Sequence, residues 1–326
     1  MIKLSEYKPP PHTIETIDLK VELSETRTVV TATIVGHGNN HSDEEDGLLK
    51  LNGESQNLIS LELDGLVLNR SCFELNDGIL TLDVPAERFE LKVTSEINPS
   101  NNKALEGLYL SEGIFCTQCE PEGFRRITFF PDRPDILTIY TTTVIANKRD
   151  YPVLLSNGNL LDAGDLDDER HFMIWHDPFP KPSYLFALVG GKLDCLEDNF
   201  VTKSGRSVKL QIFVEPGNKQ KCYFAMECVK KAMKWDEDRF DRLLRDGWIE
   251  VFRRRRKKFK TLYGLTFKTQ RVISSIYKKL SGEEIPTDMS NNPIFAKNVK
   301  FSDKVYKKMI IEMNHAIRQQ RRLSPE

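Results

Sequence analysis

The chain has 326 residues, 39% of them hydrophobic and 29% charged, which fits a soluble globular protein of two structural units. Six cysteines are too sparse at this length for a disulfide framework, and no run of about 18 apolar residues is present to span a membrane. The net charge of −1 hides a reversal: residues 1–240 hold 26 basic and 39 acidic side chains, whereas residues 241–326 hold 21 and 9. So sharp a change of sign points to a fusion, a displaced reading frame or a nucleic-acid-binding appendage.

The N-terminus, Met1-Ile2-Lys3-Leu4-Ser5-Glu6-Tyr7, has no apolar core of a signal peptide, so a cytoplasmic protein with reduced thiols is expected. Strands follow. Ile17-Asp-Leu19-Lys-Val21-Glu-Leu23 alternates apolar and polar residues with the period of a half-buried strand. Val29 to Val35 is rich in β-branched residues, and Leu61-Glu-Leu63 and Leu66-Val-Leu68 flank Asp64-Gly65 as a two-residue hairpin. Phe89, Leu91 and Val93 alternate again, and turn residues punctuate the chain at Gly36–Asn40, Asn76-Asp77-Gly78, Asn98–Asn102 and Ser156–Asn159. Short strands between frequent turns predict a mainly β protein whose first domain, 1–190, is a saddle-like β-sandwich.

Tyr184 to Val189 reads as one strand buried on both faces, ending at Gly190-Gly191. Residues 191–240 then supply a strand, Val208 to Val214, and a helix from Tyr223 to Phe240 with Phe224, Met226, Val229 and Met233 along it, the expected α/β beginning of a second domain. Residues 241–326 form a basic tail with two or three amphipathic helices expected around Val272-Ile273, Ile276-Tyr277, Leu280, Val305 and Met309–Ile311. Its run of Arg253, Arg254, Arg255, Arg256, Lys257 and Lys258, with Phe252, Phe259 and Tyr263 beside it, could contact nucleic acid, or form a solvated helix face.

Chemistry-bearing side chains are few. His37 and His41 have the i, i+4 spacing of helical metal ligands, but Gly38-Asn39-Asn40 between them is loop-forming. His171 and His176, five residues apart on a strand, point to opposite faces and read as structural. Cys116-Thr117-Gln118-Cys119 lacks the second cysteine pair of a zinc ribbon and the strand-to-helix setting of a redox motif, so idle thiols are expected there.

The ordered blocks Leu51-Asn-Gly-Glu54, Ala104-Leu-Glu-Gly-Leu-Tyr109, Cys116-Thr-Gln-Cys-Glu120, Glu122-Gly-Phe-Arg125 and Asp132-Arg-Pro-Asp135 continue with Leu155-Ser-Asn-Gly-Asn159, Asp177-Pro-Phe-Pro-Lys-Pro182, Tyr184-Leu-Phe-Ala-Leu-Val189 and Met233-Lys-Trp-Asp-Glu237. Over about residues 7–240 the chain thereby resembles the bacterial aminopeptidase N family of zinc metallopeptidases, which implies that residues 191–240 begin a thermolysin-like catalytic domain. The resemblance implies that the T-Q-C-E loop faces the substrate, with Gln118 and Glu120 binding the free α-amine of a peptide. An amide carbonyl and a carboxylate are both acceptors for the three donors of an ammonium group, so the residue types suit that role.

The family's zinc site is an H-E-x-x-H motif with a later glutamate, preceded by a G-A-M-E-N substrate loop; none of these occurs in this sequence. No metal ligand, cofactor or catalytic residue is therefore assigned, and by itself the chain is expected to be an inactive remnant of such an enzyme. The alternatives are a subunit completed by a second chain carrying the zinc domain, or a non-enzymatic protein with a nucleic-acid-binding tail.

Overall fold

In a computed structural model the chain is described over residues 7–39, 47–245, 249–253 and 261–265. It separates into two compact units, one of residues up to Cys195 together with Phe213–Lys219, the other of Leu196–Ile212 and the chain from Gln220 on.

The first unit is built on an eight-stranded sheet. Its spatial order is β13 (Asn159–Asp165), β14 (Arg170–Lys181), β11 (Thr138–Asn147), β1 (His12–Glu22), β2 (Thr28–Gly38), β8 (Phe89–Ile97), β4 (Asn57–Leu63) and β5 (Leu66–Val67). All neighbours are antiparallel except β1 and β11, which run parallel with Thr16 opposite Ile139. Along β1 the predicted alternation holds from Ile17 onward, and a bulge between Ile14 and Thr16 lets Ile14, which is out of phase with it, reach the same core. The hairpin at Asp64-Gly65 is also as expected: Leu63 pairs with Leu66, and both turn residues have positive φ, 49° and 80°, as a two-residue turn matched to strand twist requires.

Two smaller sheets complete this unit: β3 (Leu49–Asn52), β7 (Ile79–Leu82) and β6 (Phe73–Asn76); and β12 (Val153–Ser156), β15 (Leu188–Gly191), β10 (Ile114–Gln118) and β9 (Gly107–Ser111). One core joins all three sheets. Leu19, Val30, Ile34 and Leu91 of the large sheet, Leu51 and Leu80 of the first small sheet, and Phe115 and Leu154 of the second are all fully buried. Phe124, Phe129 and Phe130, from the segment between β10 and β11, complete it. The β-sandwich predicted for this region is what the chain forms.

The apolar run Tyr184–Val189 is not one strand. Ser183–Leu185 is a 3-10 turn, Leu185 is exposed, and β15 begins only at Leu188. The cause is Asn157, whose amide donates to the Leu185 carbonyl at 3.1 Å and accepts from the Ala187 N–H at 2.7 Å, taking backbone groups that a strand would have paired.

β16 (Asp194–Val201) and β17 (Ser207–Val214) form a hairpin whose greater part, Leu196–Ile212, belongs to the second unit, and α1 (Tyr223–Arg245) follows. Lys230 on α1 reaches Asp198, and Lys203 of the hairpin turn reaches Asp238, at 2.5 and 2.8 Å. Of the apolar residues that define the helical pattern, Met226 is buried while Phe224 is 80% exposed. Past α1, β18 (Ile249–Arg253) and β19 (Thr261–Leu265) pair antiparallel, and each is rich in the β-branched and aromatic residues that suit a pleated surface. The helices expected from Val272 onward lie outside the described residues, as do Arg254, Arg255, Arg256, Lys257 and Lys258.

Candidate functional site

The T-Q-C-E segment leaves the sheet at the end of β10. Phe115 is buried, Thr117 takes the place of a ladder contact by donating to the Leu188 carbonyl at 3.0 Å and accepting from the Leu188 N–H at 2.8 Å, and Gln118 ends the strand opposite Gly107. Beyond it the exposure alternates: Gln118 out, Cys119 in, Glu120 out. Gln118 and Glu120, the two predicted amine ligands, are thus both exposed, with Cys119 buried between them.

The side-chain amide of Gln118 donates through Nε2 to the backbone carbonyl of Glu120 at 3.0 Å. One of its two N–H donors is thereby used, and the carbonyl oxygen Oε1 is the end that can accept from an outside donor. Glu120 is followed by a cis peptide to Pro121, and the chain turns back so that Gly123 N–H meets the Cys119 carbonyl at 2.7 Å. Only glycine fits at 123: a Cβ there would lie 2.2 Å from the Gln118 carbonyl oxygen.

Behind the turn lies a layer of charged groups drawn from segments far apart in the sequence. Asp132, 4% exposed, accepts from both the backbone N–H and Nε of Arg125 at 3.1 Å, and its other oxygen accepts from the Ser183 hydroxyl. Asn52 Oδ1 accepts the Asp132 N–H at 3.2 Å. Arg125 also lies 3.3 Å from Glu122, while Arg126 pairs with Glu54 at 2.7 Å and Glu106 at 3.3 Å. The blocks Leu51–Glu54, Ala104–Tyr109, Glu122–Arg125 and Asp132–Asp135, scattered over more than eighty positions in sequence, therefore meet around one loop.

Below this layer Phe124 packs edge-on to Phe130, Tyr140 and Phe186 with ring centroids 5.2, 5.9 and 5.1 Å away. Lys181 lies 4.2 Å over the Tyr140 ring and donates to Asp177 at 2.8 Å. Sequence reasoning did not single out Asp132, Ser183 or Lys181 individually, although the first and last fall in blocks it did.

Burial, with the nearby Asp132 charge, pushes the Cys119 thiol up to about 12, and burial raises Cys116 as well, so neither is a ready nucleophile or ligand. Both are free thiols. His171 is buried with Nε2 2.8 Å from the Tyr151 carbonyl, and His176 Nδ1 lies 3.0 Å from Thr141 Oγ1. His12 packs edge-on to Phe89, and His37 faces the Gly38 carbonyl at 2.8 Å. His41 lies outside the described residues. Among the described residues no three His, Cys, Asp or Glu side chains group as a metal site.

The three sheets closing on one core place the chain among the mainly β domains. The family described as Peptidase M1 N-terminal domain matches residues 14–185. The chain is 48% identical to aminopeptidase N of Caulobacter vibrioides over 74% of its own length and 28% of that protein, and 47% identical to aminopeptidase N of Escherichia coli over 72% and 26%. Among solved structures, Legionella pneumophila aminopeptidase A in complex with aspartic acid superposes with a TM-score of 0.70 and 40% identity, over 74% of this chain and 28% of that one. A zinc metallopeptidase of the same M1 class from Deinococcus radiodurans shares the fold alone, with a TM-score of 0.54 at 14% identity over 66% of this chain and 50% of that one. The chain belongs to the M1 peptidase family and carries its N-terminal domain.

It spans about a quarter of the length of the curated relatives it matches. The described residues do not fit the zinc ion that family members hold, since neither the sequence motif nor a cluster of ligands is present. No described helix is long and apolar enough to cross a membrane.

Proposed function

We propose that this chain is the amine-anchoring domain of an aminopeptidase N, with Gln118 Oε1 and the Glu120 carboxylate accepting hydrogen bonds from the α-ammonium of a peptide. The observation that supports the reading is the alternation at the end of β10, where Gln118 and Glu120 are both exposed and Cys119 between them is buried. An ammonium group offers three donors in a cone, and a carboxylate beside an oriented amide carbonyl matches two of them with charge assistance. Gripping that group is what confines a peptidase to the first residue of its substrate.

Hydrolysis needs a second component. A bound zinc ion acidifies the attacking water and polarises the scissile carbonyl, and the ligands for it would come from further polypeptide, in the same chain or a second one. This chain contributes recognition and remains inactive by itself. The six free cysteines support a reducing compartment such as the cytoplasm.

The test is a titration of the chain with L-alanine amide and with N-acetyl-L-alanine amide, followed by NMR at the Gln118 side-chain amide. Only the free amine should shift that resonance, Glu120→Gln should weaken it about tenfold through the lost charge assistance, and added zinc should give no turnover of an alanyl chromogenic substrate. Equal response to both amides, or hydrolysis abolished by chelator, would overturn the reading.

A further inference from the structure

An anchor made of two side chains on an exposed loop works only if the loop holds one shape, because a small displacement of either acceptor removes one hydrogen bond to the ligand. We propose that Asp132, gripped by Arg125 and Ser183, is a positioning residue that fixes the 118–126 turn and hence the facing of Gln118 and Glu120; the proposal rests on the amine-anchoring reading above.

Three observations carry it. Asp132 binds Arg125 at both ends, accepting from its backbone N–H and its Nε at 3.1 Å, and its carbonyl accepts from Nη2 at 3.2 Å. One residue therefore fixes the main chain and the side chain of Arg125 together, so the peptide that closes the turn cannot rotate. The turn is closed on its other side by Gly123 N–H on the Cys119 carbonyl, immediately next to Glu120. Asp132 is itself tied to two other parts of the unit, through Ser183 Oγ and Asn52 Oδ1, so the turn is referred to the sandwich rather than left to its own local geometry.

The second consequence concerns charge. Arg125 Nη1 lies 3.3 Å from Glu122, which draws that carboxylate toward the clamp. Glu120 and Glu122 are both exposed, and it is Glu122 that pairs with Arg125. A buried ion pair such as Arg125 with Asp132 adds little net stability once desolvation is counted, so its effect on geometry is the larger contribution.

The test compares this chain with its Asp132→Asn and Ser183→Ala variants, each titrated with L-alanine amide at a temperature where circular dichroism shows it fully folded. Asp132→Asn should weaken binding about tenfold and the milder Ser183→Ala about threefold. In a Gln118→Ala background, Asp132→Asn should cost less than it does alone, because its effect passes through the residue already removed. A purely structural role would lower the melting temperature and leave the affinity of the folded protein intact, and that result overturns the proposal, as does full additivity with Gln118→Ala. If the wild-type protein fails to prefer the free amine over its N-acetyl form, the amine-anchoring reading itself falls and takes the clamp with it, an outcome distinct from wild-type binding that Asp132→Asn leaves unchanged.

Discussion

A core aromatic of the first unit and the aromatics on the helix of the second are treated in opposite ways. In the first, Phe124 is fully buried and touches three other rings, and the loop on which it sits is the one that presents Gln118 and Glu120. In the second, Phe224 and Trp235 on α1 stand 80% and 62% exposed, and the helix is tied to its hairpin by ion pairs such as Lys230 with Asp198. The lesson is that an apolar periodicity states what a helix is able to bury, whereas three sheets closing over one another determine what is buried.

The sharpest way to break this contrast is a pair of truncations. Phe124→Ala removes a filled core position and should cost about 3–5 kcal/mol, while Phe224→Ala should change stability by no more than about 0.5 kcal/mol. Urea denaturation followed by near-ultraviolet circular dichroism measures both. Comparable losses would mean that α1 packs as tightly as the sandwich does, and the distinction between the units would collapse.

Much of the first unit was legible because its strands expose one face. Ile17 to Leu23 alternates without a break, and Asp64-Gly65 specifies its turn by backbone chemistry alone. Tyr184–Val189 was not legible, since an unbroken apolar run carries no phase, and the Asn157 side chain that captures the backbone there sits nearly thirty residues upstream. The loop carrying Gln118 and Glu120 could be found through its motif. The Ser183 hydroxyl that reaches Asp132 across 51 residues could not, because no local pattern marks a side-chain pair of that range. Pairing of Ile249–Arg253 with Thr261–Leu265 was hidden in the same way by the basic block between them.

Thiol reactivity offers a second measurement of the contrast, smaller in effect because it reads local opening rather than global stability. Cys119, 3% exposed and pushed up to about 12 by burial, is almost wholly protonated at pH 8 and screened from reagent. Cys228 on α1 is exposed. Brief iodoacetamide treatment of the native protein should modify Cys228 and spare Cys119, as peptide mass spectrometry would record, with both modified after denaturation. Modification of Cys119 at the rate of Cys228 would show that the 118–126 turn opens readily, against the rigidity its hydrogen bonds imply.

The smallest expected effect is electrostatic. Arg133 donates from Nε and Nη2 to the two oxygens of Asp135 at 2.9 and 2.8 Å, and Tyr7 donates to the same carboxylate at 2.9 Å. The Arg133 hydrogen bonds hold the Asp135 carboxyl below its usual range. A carboxyl whose pKa is depressed on folding stabilises the folded state above its unfolded value of about 3.9, and that contribution is lost as pH falls through the lower folded value. At pH 7, Asp135→Asn should therefore cost the first unit less than about 1 kcal/mol, the pair being partly open to solvent. The difference from wild type should shrink on acidification below about pH 4 and disappear once both states are protonated. In the second unit the Lys230 hydrogen bond likewise holds the Asp198 carboxyl below its usual range, and Asp198→Asn, which breaks that contact, should move the acid unfolding curve less than Asp135→Asn at physiological salt. If Asp198→Asn instead shifted that curve as far as Asp135→Asn, the Lys230 pair would matter to the second unit as much as the Arg133 pair does to the first.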